Sequence, residues 1–70
     1  MDIKHRIGLK IKEIRESQGI SQKDLAYTAD LDRSYIASVE KGNRNISIVN
    51  LEKIAIALNT TLGNLFMDIW

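Results

Sequence analysis

The 70-residue chain has no cysteine, no proline, a single histidine and only four aromatic residues. Without cysteine, neither disulfides nor thiolate metal centres can hold it together, and one histidine is too few to build a zinc site, so no metal and no cofactor are expected. Without proline, no residue is forced to break a helix from within. The four glycines stand apart, which excludes a glycine-rich phosphate loop. No apolar run approaches the roughly 20 residues that span a bilayer, and no signal-peptide pattern opens the chain. The expected location is the cytoplasm, with no membrane partner. The net charge is only +1, but it is unevenly spread. Residues 1 to 44 carry nine bases against seven acids, whereas residues 45 to 70 carry one base against two acids. That mild basic bias permits nucleic-acid binding without demanding it.

What is present is a chain 44% hydrophobic and 27% charged, ordinary for a globular protein. Its length predicts one small domain over residues 1–70, near the lower size limit for an independent core. A domain of this size without staples relies on tight helix packing or on oligomerisation.

Alternation of the strand type is never sustained. Helical spacing recurs, and it predicts an all-α fold of five helices. The first runs from about Ile3 to Ser17, with Ile7, Ile11 and Ile14 as its buried stripe. Gly19 ends it in a left-handed conformation, and Ile20 folds back on the last turn. Ser21 caps the second helix, with Asp24 completing an approximate capping box. Leu25, Ala26 and Ala29 face inward. Asp30-Leu31 forms a tight turn, Asp30 being tolerant of a left-handed backbone and Leu31 plugging the core. Asp32 is expected to cap the third helix by accepting from its first turn. Ile36 and Val39 are the buried side of that helix, and Gly42 closes it. Ser47 caps the fourth helix after a staple residue, Ile46, and Leu51, Ile54, Ala55 and Leu58 form its stripe. Asn59 follows as a left-handed end. Thr61 caps a fifth helix, spanning about 61 to 70, that holds Leu62, Leu65, Phe66 and Ile69.

Two short, separately capped helices joined by a tight turn, the second with an apolar back and a front of Arg33, Ser34, Tyr35, Ala37 and Ser38, make a helix-turn-helix. The chemistry required of such a unit is recognition rather than bond making. Arg33, at the start of the second of these helices, is the first choice for base readout, because a bidentate pair with guanine discriminates by roughly 1–3 kcal/mol. A phosphate clamp or a solvated arginine is the plainer role. Tyr35 either meets a phosphate, sugar or thymine methyl, or half-buries its ring against the preceding helix. Ser34 and Ser38 can donate or accept toward bases, and Ala37 is small enough to let the helix sit deep. Lys23 is a candidate for the phosphate backbone.

The segments Ile7-Gly8, Ile14-Arg15, Gly19-Ile20-Ser21-Gln22, Leu25-Ala26, Ser34-Tyr35-Ile36, Glu40-Lys41-Gly42, Leu51, Ile54-Ala55, Leu58 and Leu65-Phe66, taken together, resemble the Cro/phage-repressor helix-turn-helix family. The match spans nearly the whole chain in order. Leu31-Asp-Arg-Ser-Tyr-Ile36 with Arg44-Asn-Ile-Ser-Ile48 is similar in particular to controller proteins of restriction–modification systems. Two positions depart from the common pattern: Asp30 stands where many relatives have glycine, and Ile46 where many have proline. Neither removes a DNA contact.

The resemblance implies a compact five-helix, lambda-repressor-like domain that regulates transcription as a homodimer on a pseudo-palindromic operator. It implies a phosphate contact by Gln22, backbone contacts by the loop Asn43, Arg44 and Asn45, and a structural ion pair between Arg15 and Glu40. The plainer roles are an exposed helix-former for Gln22 and turn chemistry for the loop. The carboxyl end, with Leu62, Phe66, Met67, Ile69 and Trp70, carries more apolar surface than one short helix can bury alone, and is expected to dimerise. The same tail would suit an antitoxin-like or mobile-element regulator whose main role is to bind a protein partner. An activator would also need a surface for RNA polymerase. No enzymatic activity and no small-molecule effector are expected, since the one histidine, His5, sits on the outer part of the first helix, away from any evident pocket.

Overall fold

The computed structural model describes residues 2–69. Five helices follow in order: α1 Ile3–Ser17, α2 Gln22–Ala29, α3 Arg33–Glu40, α4 Ile48–Ala57 and α5 Leu62–Phe66. The described residues form no strand. Each boundary has a local cause. Asp2 accepts from the backbone N–H of His5 at 3.0 Å to start α1. Gly19, at φ +70°, reverses the chain at its end, where the Ile20 N–H donates back to the Arg15 carbonyl at 3.3 Å. Ser21 and Asp24 form a reciprocal capping box at the start of α2. Ser47 and Thr61 accept from the N–H groups of Asn50 and Asn64, both at 3.1 Å, to cap α4 and α5. Asn59 adopts the left-handed conformation after α4, with φ 57°.

Apolar stripes from all the helices meet in one core. Ile11, Leu25, Ile36, Ile54, Leu58 and Leu65 are fully enclosed, with Ile7, Val39 and Leu51 beside them. Burying a side chain of this kind contributes about 1.5–3 kcal/mol, so the core rests on few residues and each matters. Leu31, Ile46, Leu62 and Phe66 pack against it half-buried, and Ile14 sits at its margin rather than inside it.

Three expectations need correction. Asp32 holds the N-cap position of α3, but its side chain makes no capping hydrogen bond; the carboxylate stays in solvent. The fifth helix ends at Phe66, not near residue 70. Met67 is extended and Asp68 turns left-handed at φ 65°, which carries the chain back across α1. As a result Ile69 is not a free dimerisation residue on a helix. It belongs to the core, and its carbonyl accepts from Arg6 Nη1 at 3.1 Å. Trp70 lies outside the described residues.

Candidate nucleic-acid interface

The turn between α2 and α3 is built by the backbone. Asp30 is left-handed, with φ 59° and ψ 47°, and the Leu31 N–H reaches back to the Ala26 carbonyl at 2.9 Å. Ala26 and Ala29 are almost completely covered. Their small side chains let α3 pack closely across α2. On the other side of α3, Gly8 of α1 lies so near that a Cβ there would overlap the Val39 carbonyl oxygen. Glycine is required at that crossing by space, not by backbone angle. Together the two contacts fix the inclination of α3.

With Ile36, Val39 and Glu40 turned inward, α3 leaves Arg33 and Ser34 exposed, and Ala37 and Ser38 partly so. Residues 33, 37 and 34, 38 are spaced by one turn, so these four form a continuous outer strip. Tyr35 lies at its edge. Its ring is half-buried against the core, its hydroxyl accepts from Asn50 Nδ2 of α4 at 3.1 Å, and the Arg44 guanidinium lies over the ring at 4.7 Å. The tyrosine is thus half-buried against the core and linked through its hydroxyl to α4 and through its ring face to the following loop. It also ties Arg44, in the exposed loop Asn43–Asn45, to α3 through a cation–π contact.

Gln22 and Lys23 open α2. Lys23 is exposed, whereas Gln22 is half-buried and its Nε2 donates to Glu40 Oε1 at 3.0 Å. Glu40 also accepts from Arg15, from Nε to Oε2 at 2.7 Å and from Nη2 to Oε1 at 3.1 Å. The pair is enclosed, with side-chain exposures of 10% for Arg15 and 3% for Glu40. The hydrogen bond with Glu40 raises the Arg15 guanidinium above its ordinary value, outweighing the opposing effect of burial. Arg15 Nη1 further donates to the Ile20 carbonyl at 2.8 Å. The ion pair thus joins α1, the start of α2 and the end of α3.

Of the residues expected at a dimer surface, Leu62 and Phe66 are half-buried and Met67 is 56% exposed. A surface that sequence reasoning missed lies on α4, where Ile48, Val49 and Ile56 are 63%, 61% and 70% exposed. The signal was available: α4 is apolar around more of its circumference than one buried stripe explains. Ile48 also borders an open apolar cleft with Ile3, Ile46 and Phe66.

The helix-turn-helix family profile matches residues 11–65, the span from the middle of α1 into α5. The chain belongs to this family. It is 52% identical over 69 residues to Control protein C.MunI from Mycoplasma sp., covering 97% of this chain and 93% of that protein. The restriction–modification controller C.AhdI from Aeromonas hydrophila superimposes with a TM-score of 0.88 at 43% identity, covering 90% of this chain and 96% of that one. The controller C.Esp1396I, solved as a tetramer on its natural 35-base-pair operator, gives a TM-score of 0.90 at 35% identity over 99% of this chain and 91% of that one. Structures of that controller include variants altered at an arginine, a threonine and a tyrosine in three consecutive positions. In the present chain, Arg33-Ser34-Tyr35 is the only run of arginine, hydroxyl residue and tyrosine.

Proposed function

We propose that this protein is a sequence-specific regulator of transcription that binds double-stranded DNA as a homodimer and controls a restriction–modification system. The observation that carries the reading is the outer strip of α3. Arg33 and Ser34 stand free at its start, flanked by two sets of groups suited to phosphate. On one side are Gln22 and Lys23 at the N-terminus of α2, where backbone N–H groups and the helix dipole add to side-chain donors. On the other are Asn43, Arg44 and Asn45. Arg33 reads a guanine, and Ser34, Ala37 and Ser38 line the same groove. Tyr35, held by Asn50, orients Arg44 for the backbone. Relatives named as controllers, one of them solved on its operator, support the same reading.

Dimerisation follows from the apolar surface left uncovered. Ile48, Val49 and Ile56 of α4, with Met67 and the outer parts of Leu62 and Phe66, form the self-association face of the reading. A twofold axis there would set two α3 helices to read half-sites about one DNA turn apart. The proposed role is recognition, with no catalytic step. Among the described residues, no helix is long and apolar enough to cross a membrane.

Selection of bound sequences from a random DNA pool, with Arg33→Ala in parallel, tests the proposal. A two-half-site palindrome that loses information at particular bases in the variant is expected. No enriched motif, with weak binding that falls steeply as salt rises, would leave only non-specific backbone affinity and refute it.

A further inference from the structure

Glu40 stands close to a face meant for phosphate, yet it is the more enclosed partner of a buried ion pair. Its charge is neutralised by Arg15, and its oxygens accept three hydrogen bonds. The third is the informative one. It comes from Gln22, the first residue of α2, whereas Glu40 is the last residue of α3. A carboxylate can only accept, so the glutamine must turn its NH2 group, not its carbonyl, toward Glu40; the amide orientation is chemically decided. An NH2 group has two hydrogens. One is spent on Glu40, and the second makes no hydrogen bond within the described residues.

We propose that Glu40, itself held by Arg15, is a positioning residue for DNA binding: it locks the Gln22 amide so that its second hydrogen is presented to a DNA phosphate at the N-terminus of α2. This rests on the phosphate-contacting role of Gln22 proposed above. A glutamine free in solvent surrenders its rotamer freedom when it contacts a ligand, whereas one held in advance has surrendered it on folding. The same link joins the end of the base-reading helix to the start of the backbone-binding one. The spacing between base contacts and phosphate contacts is thereby set before DNA arrives.

The test is a double-mutant cycle on operator affinity at fixed salt, using Gln22→Ala, the paired replacement Arg15→Met with Glu40→Leu, and the triple variant. The paired replacement removes both buried charges at once and so avoids leaving one unpartnered. Gln22→Ala is expected to weaken binding about tenfold in the native background, the range of one hydrogen bond to a charged group. In the paired background the loss should fall below about twofold. Equal losses in both backgrounds would overturn the positioning role and leave the phosphate contact of Gln22 standing. No loss in the native background would overturn that contact and the positioning role with it, but not operator binding by α3. If the paired variant does not fold, side-chain 15N relaxation of Gln22 in the free native protein decides. Rigidity matching the neighbouring backbone amides is expected, with order parameters near about 0.85; values below about 0.6 would overturn the proposal.

Discussion

Asp30 and Gly19 both occupy the left-handed region, at φ 59° and φ +70°, and exchanging their residue types should shift stability in opposite directions. A side chain in this region costs roughly 1–2 kcal/mol, somewhat less for aspartate. Replacing Asp30 by glycine removes that strain but returns about 0.4–1 kcal/mol of conformational freedom to the unfolded chain. The net expected gain is about 0.5 kcal/mol. For Gly19→Ala the same quantities reverse sign, and nothing lies within 4 Å of the added Cβ, so no clash complicates the reading. A loss of about 0.5–1 kcal/mol is expected. In a chain of this size 1 kcal/mol moves the melting temperature by about 4–8 °C. Circular dichroism at 222 nm should therefore show Asp30→Gly melting about 2–4 °C higher and Gly19→Ala a similar amount or more lower. A lower melting temperature for Asp30→Gly would refute the reasoning, because it would mean that the Asp30 carboxylate stabilises the turn by more than its backbone strains it.

Glu40→Ala leaves a nearly enclosed guanidinium without its partner and should cost about 3–5 kcal/mol in urea unfolding, much of the total of roughly 4–10 kcal/mol expected for a domain this small. Replacing Arg15 and Glu40 together by methionine and leucine should cost far less; equal losses would show that the packing, not the charge pairing, had been misjudged. Ile56→Asp changes an exposed position, so the monomer should keep its stability within about 0.5 kcal/mol. Sedimentation should show the variant dissociating at concentrations where the native chain is dimeric; an unchanged dimer would place the interface elsewhere. The hydrogen bonds from the His5 side chain and backbone hold the Asp2 carboxyl below its ordinary value of 3.8. Because the folded value is the lower one, the capping contribution is complete above the ordinary aspartate range and is lost as pH falls through the folded value. The amide resonance of His5 should report this titration at the acid end and lose it in Asp2→Ala.

The helices and their ends were legible in the sequence because they depend on neighbours in the chain. Ser21 with Asp24, Ser47 and Thr61 cap backbone groups three residues away, and Gly19, Asp30 and Asn59 mark left-handed ends. The fronting of α3 by Arg33 and Ser34 follows from the same periodicity that buries Ile36 and Val39. The chain beyond α5 departs from that local pattern. Ile69 continues the helical spacing of Leu62 and Leu65, but the helix ends at Phe66, Met67 is extended, Asp68 turns left-handed, and Ile69 returns to the core beside α1.

Position in the chain therefore determined which residues open each helix, where α1 to α4 stop and which side of α3 faces outward, since these are set by hydrogen bonds and side-chain spacing within a few residues. Only the tertiary structure decided how much apolar surface stays uncovered, and it leaves Ile48, Val49 and Ile56 of α4 exposed. It alone joined Gln22 to Glu40, 18 residues apart, and Tyr35 to Asn50 and Arg44. Such links depend on how three helices cross, and that crossing is a property of the whole packed core rather than of any one segment.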